Sequence, residues 1–214
     1  MGIVKKTLLL PLLIIFFPNN LLSDDAVSED VEIEVVEIIG SQEEALEIAG
    51  AATVINSDDL EVYEYTDIHK ILSNVPGVNF RPEEGYGLRP NLSIRGTYAD
   101  RSGKITLMED GVLIAPAPYA ASSAYYFPTA GRLAGVEVLK GPSAITQGPY
   151  TIGGAINLLS TPIPDKTGGL FNQEFGEDQT RRTHFHYGVI QDKVAFLIES
   201  HIWETDGFDA IKNS

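Results

Sequence analysis

The sequence predicts two architectures in tandem. Residues 45–160 read as a small mixed α+β unit with short helices and short strands. From residue 161 the pattern changes to long antiparallel strands of the kind that open a transmembrane β-barrel. Three observations predict this. Short apolar runs are separated by turn residues throughout the first region, and helical periodicity is confined to the stretch between Ser57 and Val75. "STPIPDK", with two prolines, marks a boundary at residues 160–166. Beyond it, three stretches of about ten residues alternate apolar and polar positions and are separated by the turns "GED" and "QDK".

At the N-terminus, Lys5 and Lys6 precede the apolar run "TLLLPLLIIFF", then "PNN" and the acidic "SDDA". A basic start, an apolar run too short to cross a bilayer and a polar exit predict a signal peptide over residues 1–23, with an uncleaved anchor as the other reading. Between Asp24 and His69 there is no Lys or Arg. Residues 24–44 are read as a flexible acidic segment. Within it, Val31, Ile33 and Val35 alternate with Glu32 and Glu34, the period of a strand that could serve the chain's own sheet or pair with a partner's.

The next elements follow from caps and periodicity. Val54 and Ile55 lead into Ser57, a suitable N-cap followed by acidic residues. Thr66 is read as the cap of "DIHKILSNV", in which Ile68, Ile71, Leu72 and Val75 share a helical face. His69 falls off that face and is expected in solvent. Pro76-Gly77 ends the helix. Then come the strand "NLSIRG", the polar loop "TYADRSGK", and a hairpin "ITLMEDGVLI" turning at Asp110-Gly111. A long loop, "APAPYAASSAYYFPTAG", precedes the strands "VEVLKG" and "GGAINLLS". In the last region Thr183, Phe185 and Tyr187 fall on one face, with Arg182, His184 and His186 on the other. Val194, Phe196 and Ile198 alternate with Ala195, Leu197 and Glu199. An ordinary soluble β-meander would carry a similar pattern.

Composition narrows the function classes. The 214 residues carry a formal charge of −15, which repels phosphate backbones, so no nucleic-acid partner is expected. No cysteine is present, so thiolate metal sites and disulfides are excluded. The glycines of "VEVLKGPSAITQGPYTIGGAIN" do not form a phosphate cradle. Gly141 and Gly148 are wrongly spaced, and Pro149 removes an amide donor where the cradle needs one. His184 and His186, two apart on a strand, have metal-ligand spacing but no obvious third ligand. Glu109 and Asp110 lie at a hairpin turn, where Asp has a structural role. No catalytic residue and no cofactor is expected.

Four stretches in order, "LSNVPGVNF", "LSIRG", "MEDGVLIAP" and "VEVLKGPSAITQGPYTIGGAINLLS", resemble successive motifs of the plug domain of TonB-dependent outer-membrane receptors. "RPNLSIRG" and "APAPYAASSAYYFP" are most similar to the ferric citrate receptor branch. Gly135 and Gln147 depart from that pattern, standing where the family usually has Arg and Tyr. The resemblance implies a plug domain over residues 45–160 and the truncated start of a barrel over residues 161–214. The chain would thus be a fragment of a longer, non-enzymatic receptor in the bacterial outer membrane. It implies partners too: an iron-chelate ligand, the TonB energy-transducing complex and outer-membrane lipid. Tyr98, Arg101, Tyr119 and Tyr125 are the candidate ligand contacts, since Tyr and Arg suit an anionic, oxygen-rich chelate. Glu34, Val35, Val36, Glu37 and Ile38 are the candidate TonB contacts, by strand addition. Arg95 and Lys140 are candidates for plug–barrel contact. The alternatives from other classes are a soluble exported binding domain without a pore and an exported hydrolase, for which no constellation is found.

Overall fold

The computed structural model describes residues 37–63, 67–83, 87–115, 127–191 and 193–207. Two helices of one or two turns flank the first strand: α1 (Gln42–Glu47), β1 (Ala51–Ile55) and α2 (Ser57–Tyr63). A third, α3 (Ile68–Leu72), leads into β2 (Val78–Phe80) and β3 (Leu92–Ile94), which pair antiparallel. The hairpin β4 (Ile105–Glu109) and β5 (Val112–Ala115) turns at Asp110-Gly111, both with positive φ, as the Asp-Gly signal requires. β6 (Leu133–Lys140) and β7 (Gly154–Ser160) complete a five-stranded sheet in the order β1-β6-β7-β4-β5. Only β4 and β7 pair parallel, so the sheet is mixed.

Both faces of this sheet are covered. On one, Val136, Val138, Ile156, Leu158, Ile105 and Leu107 pack against Ile68, Ile71, Leu72 and Val75 of the α3 region. On the other, Val54, Met108, Leu139 and Ala155 pack against Ile39 and Ala45 from the N-terminal segment and α1. Two-sided cover explains the near-continuous apolar runs of β6 and β7. Glycine is obligatory at the start of β7. Gly154 has φ 152°, and a Cβ there would overlap the Leu139 carbonyl of β6.

The helix starts differ from those expected. Asn56, not Ser57, caps α2: its Oδ1 accepts the Asp59 N–H at 2.9 Å while Asp59 Oδ2 accepts the Asn56 N–H at 3.3 Å. Asp67 caps α3, accepting the His69 N–H at 2.9 Å. Thr66 lies outside the described residues. His69 is a clearer correction. It is buried, with its Nδ1 3.0 Å from Asp67 and its ring stacked on Phe80 at 5.1 Å. The flank of α3 that looks polar in sequence is roofed by β2. Burial raises the Asp67 carboxyl, but hydrogen bonds and charge from His69 outweigh it and hold the group below its ordinary range.

A second, three-stranded sheet follows: β8 (Gly168–Phe175), β9 (Arg181–Gln191) and β10 (Val194–Glu204), paired antiparallel with β9 in the middle. The β9–β10 ladder runs without a break from Arg181↔Glu204 to Gln191↔Val194. Phe185, Tyr187, Phe196, Ile198 and Ile202 are exposed on one face, and His184, His186, Glu199 and His201 are half-buried on the other. This is the alternation expected of lipid-facing and lumen-facing positions. None of the described helices is long and apolar enough to cross a membrane, which says nothing of spanning by strands.

Candidate functional site

The first candidate site is built on a carboxylate in the middle of the main sheet. Strand β6 alternates, so Val136 and Val138 enter the α3 side while Glu137 faces the other side. There it is fully buried. An isolated carboxylate in that position would be costly, and it persists because donors surround it. Oε1 accepts the Ile39 and Gly40 N–H groups at 2.8 and 2.9 Å. Oε2 accepts the Ile38 N–H at 2.9 Å and the Asn157 side-chain amide at 2.8 Å.

Three successive backbone amides of the N-terminal segment are therefore gathered on one charge. The next amide, Ser41 N–H, goes to Glu44 at 2.8 Å in the capping box that starts α1. Asn157 extends the network by accepting the Gly111 N–H at 2.9 Å, which ties the β4–β5 turn to the same carboxylate. Asp110 of that turn accepts the backbone N–H and hydroxyl of Ser160 at 2.9 and 2.6 Å, its structural role.

Glu37, the first described residue, enters this arrangement with an unfavourable charge. Burial first, then the neighbouring Glu137 and Glu44, push its carboxyl above the ordinary value of 4.5. Of the candidate TonB contacts, Ile38 is thus docked on Glu137 while Glu37 stays exposed beside it, with no strand formed at either. Glu34, Val35 and Val36 lie outside the described residues.

The candidate ligand loop is braced rather than free. Arg101 adopts φ 51°, donates its backbone N–H to Asn91 Oδ1 at 2.8 Å and pairs with Glu83 at 3.3 Å. Glu83 also accepts the Asn91 amide at 3.0 Å. That hydrogen bond foremost, with help from Arg101, Arg89 and Arg81, keeps its carboxyl below the usual range. Tyr98 projects from the same loop with 69% of its surface exposed. Tyr119 and Tyr125 fall outside the described residues. Arg95 and Lys140 are neighbours: the Arg95 guanidinium crosses Gly141, and burial plus that charge lower the Lys140 ammonium from 10.5. Lys140 donates to Thr53 Oγ1 at 2.9 Å and to the Pro76 carbonyl at 3.2 Å, both within the same unit.

The comparisons with known proteins fit this geometry. The family described as TonB-dependent Receptor Plug Domain matches residues 44–155, more than half of the chain. The chain belongs to the TonB-dependent receptor plug family. Membership places it among outer-membrane receptors rather than enzymes. Among curated relatives, the vitamin B12 transporter BtuB of Vibrio vulnificus (strain CMCP6) is 28% identical over 170 residues, covering 76% of this chain and 26% of that protein. Among solved structures, the unliganded ferric citrate transporter FecA superposes with TM-score 0.62 at 24% identity, over 81% of this chain and 28% of that one. The siderophore receptor PirA from Acinetobacter baumannii gives TM-score 0.55 at 22% identity, over 78% and 26%. At those identities the structures establish the fold. The chain spans about a quarter of the length of the relatives it matches.

Sequence reasoning missed Glu137, which it read as part of a strand only. Its signal was present: a lone acid within "GVEVLK", where Leu139 on the same face is apolar. It also missed Glu199 and His201 as companions of His184 and His186, although "ESH" repeats the spacing of "HFH" on the next strand.

Proposed function

We propose that this chain is the N-terminal part of a TonB-dependent outer-membrane receptor for active uptake of an iron chelate, of the citrate type. The signal peptide over residues 1–23 directs export, and the plug fills a barrel that starts with β8–β10. The loop carrying Tyr98 and Arg101, with Tyr119 and Tyr125, contributes to the ligand site by hydrogen bonds and charge. Arg95 supplies plug charge for acids of the barrel wall, whereas Lys140 is buried and bonded within the plug.

The observation that carries the reading is the docking of Ile38–Gly40 on Glu137. A segment meant to be seized by an inner-membrane partner must be held yet releasable, and besides its amides only Ile39 and, in part, Ile38 pack in the apolar layer on that face. Backbone amides on a single carboxylate meet that need. TonB adds a strand to the segment around Glu34–Ile38, and strand addition competes for the Ile38 amide, the donor of that segment that Glu137 holds. Pulling then withdraws three donors at once and exposes a buried charge in the sheet. The sheet responds first through Asn157 and the Asp110-Gly111 turn it supports.

A cobalamin cargo is the second reading, favoured by the sequence match to BtuB. Radiolabelled uptake in cells with and without the gene separates the two. Accumulation of iron supplied as ferric citrate, abolished in a TonB-deficient strain, is the expected result. Accumulation of labelled cobalamin instead would replace the iron reading, and uptake of neither would end both.

A further inference from the structure

Three of the four histidines in the chain lie together on the half-buried face of β9 and β10. The register makes this a compact square. His184 sits opposite His201, and His186 sits opposite Glu199. Each strand therefore presents an i, i+2 pair, so all four side chains leave the same face. One ligand atom each of His184, His186 and Glu199 already lies within 4.8 Å of the others. The His201 ring stands 5.6 Å from that of His184, and His186 stands 5.5 Å from it on the other side.

Three of the six ring nitrogens are buried and unused. His186 Nδ1 and both ring nitrogens of His201 are buried without a hydrogen-bond partner. Leaving several such atoms bare in one place is an unusual expense in a folded protein. Only His184 Nε2 is engaged, 2.7 Å from Glu199 Oε1. The Thr161 hydroxyl donates to the same oxygen at 2.7 Å, from the linker that joins β7 to β8. A carboxylate that binds a metal is commonly held by such a hydrogen bond. The cluster opens onto a cleft of about 880 Å³ lined also by Gly131, Arg182 and Leu159, so an ion can reach it.

We propose that His184, His186 and His201, with Glu199, form a binding site for one divalent first-row transition ion, zinc or its neighbours. Three imidazoles and one carboxylate are the ligand set zinc takes in four-coordinate sites, at about 2.0–2.2 Å per bond. The set is too rich in nitrogen for calcium or magnesium, which take oxygen. Bound there, the ion would hold the β9–β10 hairpin to the plug, because the His201 ring lies directly against the backbone of Gly131. A Cβ at that glycine would overlap the imidazole. The site goes beyond the transport reading and does not depend on which cargo is carried.

The test is metal binding to the full-length, untagged protein purified in detergent and stripped with a chelator. Calorimetric titration with Zn²⁺ should give one equivalent, and Co²⁺ should give the visible ligand-field bands of a four-coordinate site. X-ray absorption of the loaded protein should show imidazole scattering from at least two histidines. His186→Gln and His201→Asn should each weaken affinity by at least about tenfold, and Thr161→Val, which removes the support of Glu199 together with a 3.2 Å contact to the Arg132 carbonyl, by roughly tenfold. The triple variant His184→Asn/His186→Gln/His201→Asn keeps His69 and should bind nothing. No stoichiometric binding, unchanged affinity in the triple variant, or an absorption spectrum lacking imidazole would each overturn the proposal. The spectrum of the unsubstituted protein decides even if a variant fails to fold.

Discussion

Ile156 in β7 and Ile198 in β10 are the same residue type in the middle of antiparallel ladders, yet the first is fully buried and the second 60% exposed. Ile156 lies between two packed layers, and every neighbour it touches comes from this chain. Ile198 belongs to a row with Phe196 and Ile202 that faces outward and stays exposed, the row that lipid would cover under the proposed function. The plug sheet thus obtains its stability from burial away from water. The β8–β10 sheet relies on its ladder and on whatever lies against its two faces. The polar residues differ in degree, since His69 Nε2 and Ser143 Oγ of the plug are also buried without a partner. In the plug, buried polar groups such as Glu137 and Asn157 are saturated with hydrogen bonds within the chain. In β9–β10, half-buried histidines keep bare nitrogens.

Equal truncations in the two sheets test this contrast most severely. Ile156→Ala should destabilise the plug by about 4 kcal/mol, because a fully packed site cannot collapse on the cavity. Ile198→Ala should cost less than about 1 kcal/mol in detergent or lipid, because apolar solvent refills the space. Thermal unfolding of each variant in the same detergent reads both. Similar losses would remove the distinction between the sheets.

Gly154→Ala tests how tightly the plug sheet is closed. The added methyl meets the Leu139 carbonyl at a backbone conformation that other residues rarely adopt, so a loss of roughly 2 kcal/mol is expected in the same assay. A neutral result would mean that β6 and β7 can separate at that end.

The smallest expected effect concerns Glu37, whose carboxyl is held above 4.5 in the docked segment. A group with a raised folded value stabilises docking below its unfolded value, and that contribution fades as pH rises through the folded value. Docking of the N-terminal segment should therefore be firmer in mild acid than at neutral pH. Glu37→Gln should slow N-terminal proteolysis at pH 7, with the difference shrinking as pH falls through the raised value of this carboxyl. Faster proteolysis of Glu37→Gln at pH 7 would show that this charge favours docking.

Much of this contrast is legible in the sequence because it rests on local pattern. Asp110-Gly111 fixes a hairpin by its own backbone preference, and the alternation from Thr183 to Tyr187 separates the faces of β9 without tertiary information. His69 is misread because its cover arrives from Phe80, on a strand whose position over α3 the helix periodicity does not contain. Glu137 is unreadable as an anchor for the same reason. Its donors come from residues 38–40, nearly a hundred positions upstream, and only folding brings them together. The histidine cluster needs one fact absent from composition, the β9–β10 register, which decides that "ESH" lies across from "HFH" in reverse order.

Amide hydrogen exchange of residues 38–40, in the intact receptor and in Glu137→Gln, most directly tests the idea that one buried carboxylate holds the N-terminal segment for its partner. The substitution preserves shape but replaces one acceptor oxygen with a donor. These three amides should be protected in the unsubstituted protein and exchange at least about tenfold faster in the variant, while Val138 and Ile156 amides stay protected. Equal protection of Ile38, Ile39 and Gly40 in both proteins would contradict the account.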